Sequence, residues 1–188
     1  MQWLNEEGAT PFLRAAQSGD VALMRLLLDN GADPKIATTN GTTALMVASG
    51  IGWVEGVTYE WSAKDNLEAV KMLVDLGLDP NAADGDGRTA LHGAAHKGRS
   101  AVVQLLVERG AKLEARDLGS RDTINGALLG HGWQPLDYAE GLVRVGVQSA
   151  ISHPDTAALI RKLMTAKGLP VPSANRTLDS ICIVEVCR

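Results

Sequence analysis

The chain has 188 residues, of which 45% are hydrophobic, and this is enough apolar material for a sizeable core. A net charge of −4 argues against general nucleic-acid binding, which needs a basic surface. No apolar run reaches the roughly 18 to 20 residues that span a bilayer, and the N-terminus lacks the basic start and apolar stretch of a signal peptide. We therefore expect no membrane partner, and the localisation stays open with the cytoplasm as the default.

Four segments of the chain can be laid over one another, and each is predicted to open a helix. They begin at Thr10, Thr43, Thr89 and Gln134. Apolar residues at helical spacing predict a second helix after each of them, over 21–28, 67–74, 101–107 and 156–164. A glycine follows every second helix, where it can adopt the left-handed conformation that ends a helix. The predicted helix starts, the helix ends and the spacing between the copies therefore all indicate repeated helix pairs.

The repeated pattern Gly-x-Thr-Pro-Leu-His-x-Ala-Ala, followed by a Gly-Ala-Asp stop, is similar to the ankyrin repeat. The third copy, Gly87-Arg-Thr-Ala-Leu-His-Gly-Ala-Ala95, matches the pattern best. This resemblance implies an all-α, ankyrin-type solenoid of stacked helix pairs with short hairpin fingers. One helix pair cannot bury its apolar face alone, whereas stacked pairs share a continuous core. The resemblance also implies a structural hydrogen bond for His92.

The repeat spacing is interrupted by insertions. Thr10 and Thr43 are 33 positions apart, whereas Thr43 to Thr89 is 46 and Thr89 to Gln134 is 45. The excess predicts a long loop between the helices of the second repeat and an extended finger at 116–128. We expect an ankyrin repeat domain over 1–170 and a C-terminal tail over 171–188. The predicted repeats cover approximately 5–37, 38–83, 84–115 and 129–170.

The helix-to-helix insertions of the second and fourth repeats begin at Gly50 and Gly141. We expect them to lie on one edge of the solenoid and to pack on each other or on the loop between them. Their candidate site residues are Trp53, Tyr59, Trp61 and Arg144. Loop packing is the favoured interpretation of the aromatic residues, and an exposed anchor is the alternative. A small-molecule or metal site beneath the insertions is a further alternative.

The resemblance implies a concave, partner-binding surface formed by the fingers and the exposed side of the first helices. Its variable positions are Glu6, Glu7, Gln17, Asp86, Arg88, His96, Lys97, His131 and Trp133. These residues make the surface acidic at one end and basic, with an aromatic residue, at the other. Arg88 and Trp133 are the predicted anchors, because Arg and Trp commonly dominate interface energetics. The alternative for Trp133 is packing against the long finger.

Few residues in the sequence are candidates for catalysis or metal binding. His92 and His96 have a spacing that can share a metal, but they lack the Glu of a zinc protease motif. Cys182 and Cys187 lie in the tail without a Cys-x-x-Cys spacing, and no nucleophile motif occurs. We therefore predict no catalytic residue, no metal and no cofactor. The predicted function is protein binding or scaffolding, and the alternative is a regulatory or targeting domain of a larger, enzymatic or exported polypeptide.

Both ends of the solenoid look unfinished. Trp3 and Leu4 open the sequence without a polar capping helix, and Met1 directly precedes repeat-like sequence, as it would in a segment cut from a longer protein. The apolar tail segment 181–186 could fold back over the last repeat, or it could pair with another chain as an edge strand. We accordingly expect a monomer or a tail-mediated dimer, with another protein as the partner.

Overall fold

The computed structural model describes residues 4–54, 62–119, 132–143 and 151–177. Within these ranges the chain is all-α, as expected, and none of its helices is long and apolar enough to cross a membrane. The eight helices are α1 (Pro11–Ser18), α2 (Val21–Asp29), α3 (Ala44–Ser49), α4 (Ala63–Asp75), α5 (Ala90–His96), α6 (Ser100–Glu108), α7 (Pro135–Ala139) and α8 (Pro154–Ala166). The predicted first and second helices are thus confirmed in all four repeats.

The first helices begin at the residues that the repeated pattern marks as caps. The Thr10 hydroxyl accepts a hydrogen bond from the amide of Leu13 at 3.1 Å, and this bond satisfies an N–H that the helix itself leaves free. Pro11 and Pro135 occupy the first helical positions of α1 and α7, where no amide hydrogen is needed. The Thr-Pro part of the pattern therefore fixes where a first helix starts.

The second helices all end in the same turn. The residue after each terminal glycine donates its amide to the carbonyl five positions earlier, and the glycines have φ between +67° and +91°. The donor and acceptor pairs are Ala32 and Leu27, Leu78 and Leu73, Ala111 and Leu106, and Leu169 and Met164, at 2.9, 3.1, 2.9 and 3.0 Å. This shared turn gives a common register in which the four second helices can be compared.

The helices form two layers. The first helices α1, α3, α5 and α7 pack on one another in chain order, and the second helices α2, α4, α6 and α8 form the outer row. One large apolar residue in each first helix is buried at the same place in the pattern; these residues are Phe12, Leu45, Leu91 and Leu136. They belong to a single hydrophobic cluster that runs through all four repeats, as expected for a solenoid.

Hairpin fingers connect each second helix to the next first helix. The second finger closes where the amide of Thr38 donates to the carbonyl of Thr42, and the third closes likewise between Asp84 and Arg88, both at 3.0 Å. The fourth finger closes in the same way between Asp117 and Trp133, also at 3.0 Å. These two residues are 16 positions apart rather than four, so the extra residues are inserted between the closing pair.

Candidate functional site

The tips of neighbouring fingers are joined by main-chain hydrogen bonds. In each case an amide of one finger donates to a carbonyl of the preceding finger. The donor and acceptor pairs are Thr39 and Glu7, Gly85 and Asn40, and Leu118 and Asp86, at 2.8, 2.7 and 2.8 Å. We call the resulting surface the fingertip row, and it comprises Glu6, Glu7, Thr39, Asn40, Gly85, Asp86 and Leu118.

The fingertip row presents acidic groups and one exposed leucine. Leu118 is 61% exposed at the end of the row, which is the largest exposed fraction among the exposed large apolar side chains of the described residues. Glu6 pairs with Arg14 at 2.9 Å, and the exposed Glu7 accepts a hydrogen bond of 3.4 Å from the Thr39 hydroxyl. The main chain of the row is fixed by its hydrogen bonds, so these side chains extend from defined backbone positions.

Arg88 lies beneath the row and does not project as an exposed anchor. Its guanidinium is paired with Asp84 at 2.9 Å and with Asp86 at 2.5 Å, and its side chain is nearly buried. The other oxygen of Asp84 accepts the amides of Arg88 and Asp86 at 2.9 and 3.0 Å. The expectation of an exposed Arg88 is therefore wrong, because two carboxylates neutralise it and hold it inward. Its structural effect is to orient Asp86, which remains partly exposed.

Trp133 is also an interior residue. Only 2% of its surface is exposed, and its amide donates to Oδ1 of Asp117 at 2.7 Å. Its carbonyl lies 3.0 Å from Nε2 of His92. The expectation of an exposed Trp133 anchor is therefore wrong. The burial of the side chain fits the alternative, in which Trp133 packs against the long finger. The finger residues 120–131, which include His131, lie outside the described part of the chain.

A buried polar cluster joins the third and fourth repeats below these fingers. The hydroxyl of Tyr138 donates to Asp117, and the Tyr138 ring meets the His92 ring edge-on at 5.3 Å between centroids. Burial raises the pKa of Tyr138 well above its ordinary value, and the charge of Asp117 raises it further. Burial lowers the pKa of His92, against the opposing effect of the Asp117 carboxylate.

Both ring nitrogens of His92 have protein partners. Nδ1 lies 3.0 Å from the amide and from the hydroxyl of Thr89, and Nε2 is engaged by the Trp133 carbonyl. This is the structural hydrogen bonding that the resemblance implies for His92. In the described ranges no three His, Cys, Asp or Glu side chains come together as a metal site would require. The His92 and His96 pair is thus occupied by packing and hydrogen bonds.

His96 and Lys97 lie at the end of α5, where described residues of the insertions in the second and fourth repeats approach them. Trp53, from the insertion in the second repeat, packs edge-on against the His96 ring, with 6.2 Å between the ring centroids. The Lys97 ammonium lies 5.9 Å from the centroid of the Trp53 ring. At the C-terminal end of the insertion in the fourth repeat, Nε2 of His153 lies 2.9 Å from the His96 carbonyl. Desolvation by burial lowers the pKa of His96 to about 4, and the charge of His153 adds to this effect.

This arrangement corrects the expectation that His96 and Lys97 are exposed on the concave surface. Both are buried, and so is every residue of α3, α5 and α7. Gln17 is half-buried, and its side chain bonds to Arg14 and to the carbonyl of Gly52. The remaining predicted insertion residues, Tyr59, Trp61 and Arg144, lie outside the described residues, as do Cys182 and Cys187.

The beginning of the tail packs on the last repeat. The guanidinium of Arg161 on α8 donates to the Glu140 carboxylate and to the carbonyls of Pro172 and Ser173. Arg176 reaches back to Glu140 at 2.8 Å and to Asp137 on α7 at 2.6 Å. Two arginines and two carboxylates therefore hold the first part of the tail, and residues 178–188 lie beyond the described part.

Comparison with known proteins agrees with the helix-pair geometry. Family models described as "Ankyrin repeat" and "Ankyrin repeats (many copies)" match residues 7–39 and 62–107, respectively. The chain therefore contains ankyrin repeats at these residues. It is 39% identical over 51 residues to "Ankyrin repeat family A protein 2" of Mus musculus, and the match covers 27% of this chain and 16% of that relative. Ankyrin repeats generally mediate protein–protein interaction, and the family is generally non-enzymatic.

Proposed function

We propose that this chain is a non-catalytic module that binds another protein at its fingertip row. The observation that carries the proposal is the exposure of Leu118 at the end of a row whose main chain is fixed by hydrogen bonds between fingers. A surface that is rigid before it binds loses little conformational entropy on binding. Leu118 supplies apolar contact area, and the acidic residues around it favour one orientation of the partner.

The charge of the row defines the chemistry of the partner. Glu6, Glu7, Asp84 and Asp86 carry four negative charges, and the ion-pair partners Arg14 and Arg88 carry two positive charges, so the region keeps a net charge of −2. A partner segment with a basic group and an apolar side chain complements this surface, whereas a nucleic-acid backbone is repelled by it. Arg88 contributes by holding Asp86 in place rather than by touching the partner.

The proposed surface is narrower than the concave face that the sequence suggested. The first helices α3, α5 and α7 expose no side chain, so they offer no contact area of their own. Trp133, His96 and Lys97 then support the scaffold beneath the row. The proposal accordingly retains Glu6, Glu7 and Asp86 from the predicted partner-binding residues and adds Leu118.

Affinity capture from source-organism lysate tests the row when variants are compared. Glu7→Lys combined with Leu118→Asp reverses one charge and removes the apolar anchor. The matched control combines Glu108→Lys with Leu76→Asp, because both residues are exposed and lie at the ends of the second helices α6 and α4. Proteins captured by the parent and by the control, but lost from the row variant at unchanged melting temperature, would support the proposal. Equal capture by all three chains would exclude the row as the binding site.

A further inference from the structure

The outer helix of the first repeat exposes two leucines on one side. Leu23 is 39% exposed and Leu26 is 58% exposed, and their spacing of three places them next to each other on α2. Large aliphatic side chains contribute most to stability when they are buried, so neighbouring exposed leucines mark a surface that can gain by being covered.

The corresponding positions in the other repeats are covered. In the register set by the shared terminal turn, Leu23 corresponds to residues that are fully buried, namely Ala69, Val102 and Ile160. Leu26 corresponds to residues that are partly buried against the core, namely Met72, Leu105 and Leu163. The three later repeats each have a preceding repeat, and the first has none in this chain. Exposure of the two leucines follows from this difference.

A side-chain contact shows that these positions face the preceding repeat. Arg109 lies seven positions after Val102 and therefore on the same side of α6. Its guanidinium forms an ion pair of 2.6 Å with Asp75, at the end of the preceding second helix α4. In the first repeat it is Arg25, on the other side of α2, that meets Glu68 of α4, at 2.8 Å. The side with Leu23 and Leu26 therefore points away from the rest of the solenoid.

The two ends of the described solenoid differ. At the C-terminal end, Arg161 and Arg176 hold residues of the tail against the last repeat. At the other end, the leucines on α2 stand where a terminal repeat ordinarily carries polar residues. The first repeat thus has the sequence of an internal repeat rather than that of a cap.

We propose that the face defined by Leu23 and Leu26 docks one more ankyrin-type helix pair, carried in the same polypeptide ahead of the finger that contains Glu6 and Glu7. The occupant follows from continuity with the existing interface, because this face repeats the positions that stack on a preceding second helix in three other repeats. In those repeats the chain also enters the first helix from a preceding second helix through a finger. The proposal is independent of what the fingertip row binds.

An extended chain tests the docking. A copy of residues 83–115, which is one 33-residue repeat, is placed ahead of Leu4, and Leu23→Lys with Leu26→Lys is introduced into both the 188-residue and the extended chains. In the 188-residue chain the exposed substitutions should leave the melting temperature nearly unchanged. In the extended chain they should lower it by at least about 6 °C, because they place two lysines in a buried interface. The matched control, Leu76→Lys, changes an equally exposed leucine at the end of α4, away from the added repeat, and should have the same small effect in both chains.

Equal effects of the leucine substitutions in both chains would overturn the docking. The competing occupant of this face is a second copy of the chain, and sedimentation of the 188-residue chain tests for it. A dimer that is abolished by the same leucine substitutions would assign the face to a second copy and overturn the proposal. The size of the natural polypeptide, measured with an antibody against this chain, tests the arrangement in one chain. A native product of 19.8 kDa would contradict it, and a product larger by one repeat or more would support it.

Discussion

The hydroxyl of Tyr138 donates a hydrogen bond of 2.5 Å to Oδ2 of Asp117. Tyr138 belongs to the first helix of the fourth repeat, and Asp117 is one of the two residues that close the long finger before it. The other oxygen of Asp117 accepts the amides of Trp133 and Gly119 at 2.7 and 2.9 Å. A single buried carboxylate therefore joins the finger to the helix that follows it.

Removing this hydroxyl should destabilise the chain. Tyr138→Phe keeps the ring packing but leaves one oxygen of a buried carboxylate without its donor, so we expect a loss of about 1–3 kcal/mol in the free energy of unfolding. Urea denaturation followed by circular dichroism measures it. Thr165→Val removes a hydroxyl that donates at an exposed site and should cost less than about 0.5 kcal/mol. Similar losses for both variants would show that the Asp117 contact has no special weight.

The buried His96 should make the chain less stable in mild acid. Burial lowers the pKa of folded His96 to about 4, whereas the unfolded chain has the ordinary value of 6.5. Between these values the unfolded state binds a proton that the folded state does not, so the free energy of unfolding falls as the pH falls from 6.5 to 4. The full effect is about 3 kcal/mol.

Urea denaturation at pH 7, 6 and 5 measures this dependence. His96→Gln should show a shallower decline than the parent when each protein is compared with its own stability at pH 7. Burial also lowers the pKa of His92, so a residual decline is expected in the variant. A slope identical to that of the parent would mean that His96 is protonated without cost in the folded chain.

The ion pair beneath the fingertip row should matter more than an exposed one. Arg88→Ala leaves the fully buried carboxylate of Asp84 without its charged partner, and we expect a loss of about 3 kcal/mol. Arg25→Ala breaks the exposed pair with Glu68 and should cost less than about 1 kcal/mol. Thermal unfolding of the two variants beside the parent measures both. If Arg25→Ala lowered the free energy of unfolding as much as Arg88→Ala does, burial of the ion pair would not explain the loss of stability.

Local chemistry explains what the sequence could predict. A threonine that caps a helix, as Thr10 does, and a glycine that ends one, as Gly31 does, act through residues within five positions of them. The repeated spacing of such residues therefore placed every first and second helix. His92 also followed the family pattern, because its partners Thr89 and Trp133 belong to the repeat framework.

Burial at the variable positions depends on distant residues, and the sequence did not predict it. Lys97 is covered at the end of α5, where Trp53 and His153 approach from both insertions, and no short-range pattern encodes that approach. The role of Asp117 had a detectable signal, since it follows Asp84 by one repeat length of 33 positions. Both aspartates accept amides within their own fingers, so this spacing would have identified the closing residue of the long finger.

The close approach of α3 and α5 gives a last prediction. Gly50 has φ of 131°, and a Cβ added there would lie well inside van der Waals distance of the Gly93 carbonyl on α5. Gly77 has φ of 84°, but an added Cβ would meet nothing within 4 Å. Alanine at Gly77 carries the cost of a left-handed backbone, which is about 1 kcal/mol. The backbone cost at Gly50 is larger, because its φ of 131° lies beyond the left-handed helical region. Only Gly50→Ala adds a collision with main chain, which cannot move aside as a side chain can.

We therefore expect Gly77→Ala to lower the free energy of unfolding by about 1 kcal/mol and Gly50→Ala to lower it by about 3 kcal/mol or more. Urea denaturation of the two variants and the parent measures the difference. The excess for Gly50→Ala combines the stronger backbone strain at Gly50 with the close contact between the second and third repeats. If the two losses were equal, these repeats would have room to separate at this point, and the stacking of α3 on α5 would be looser than the geometry indicates.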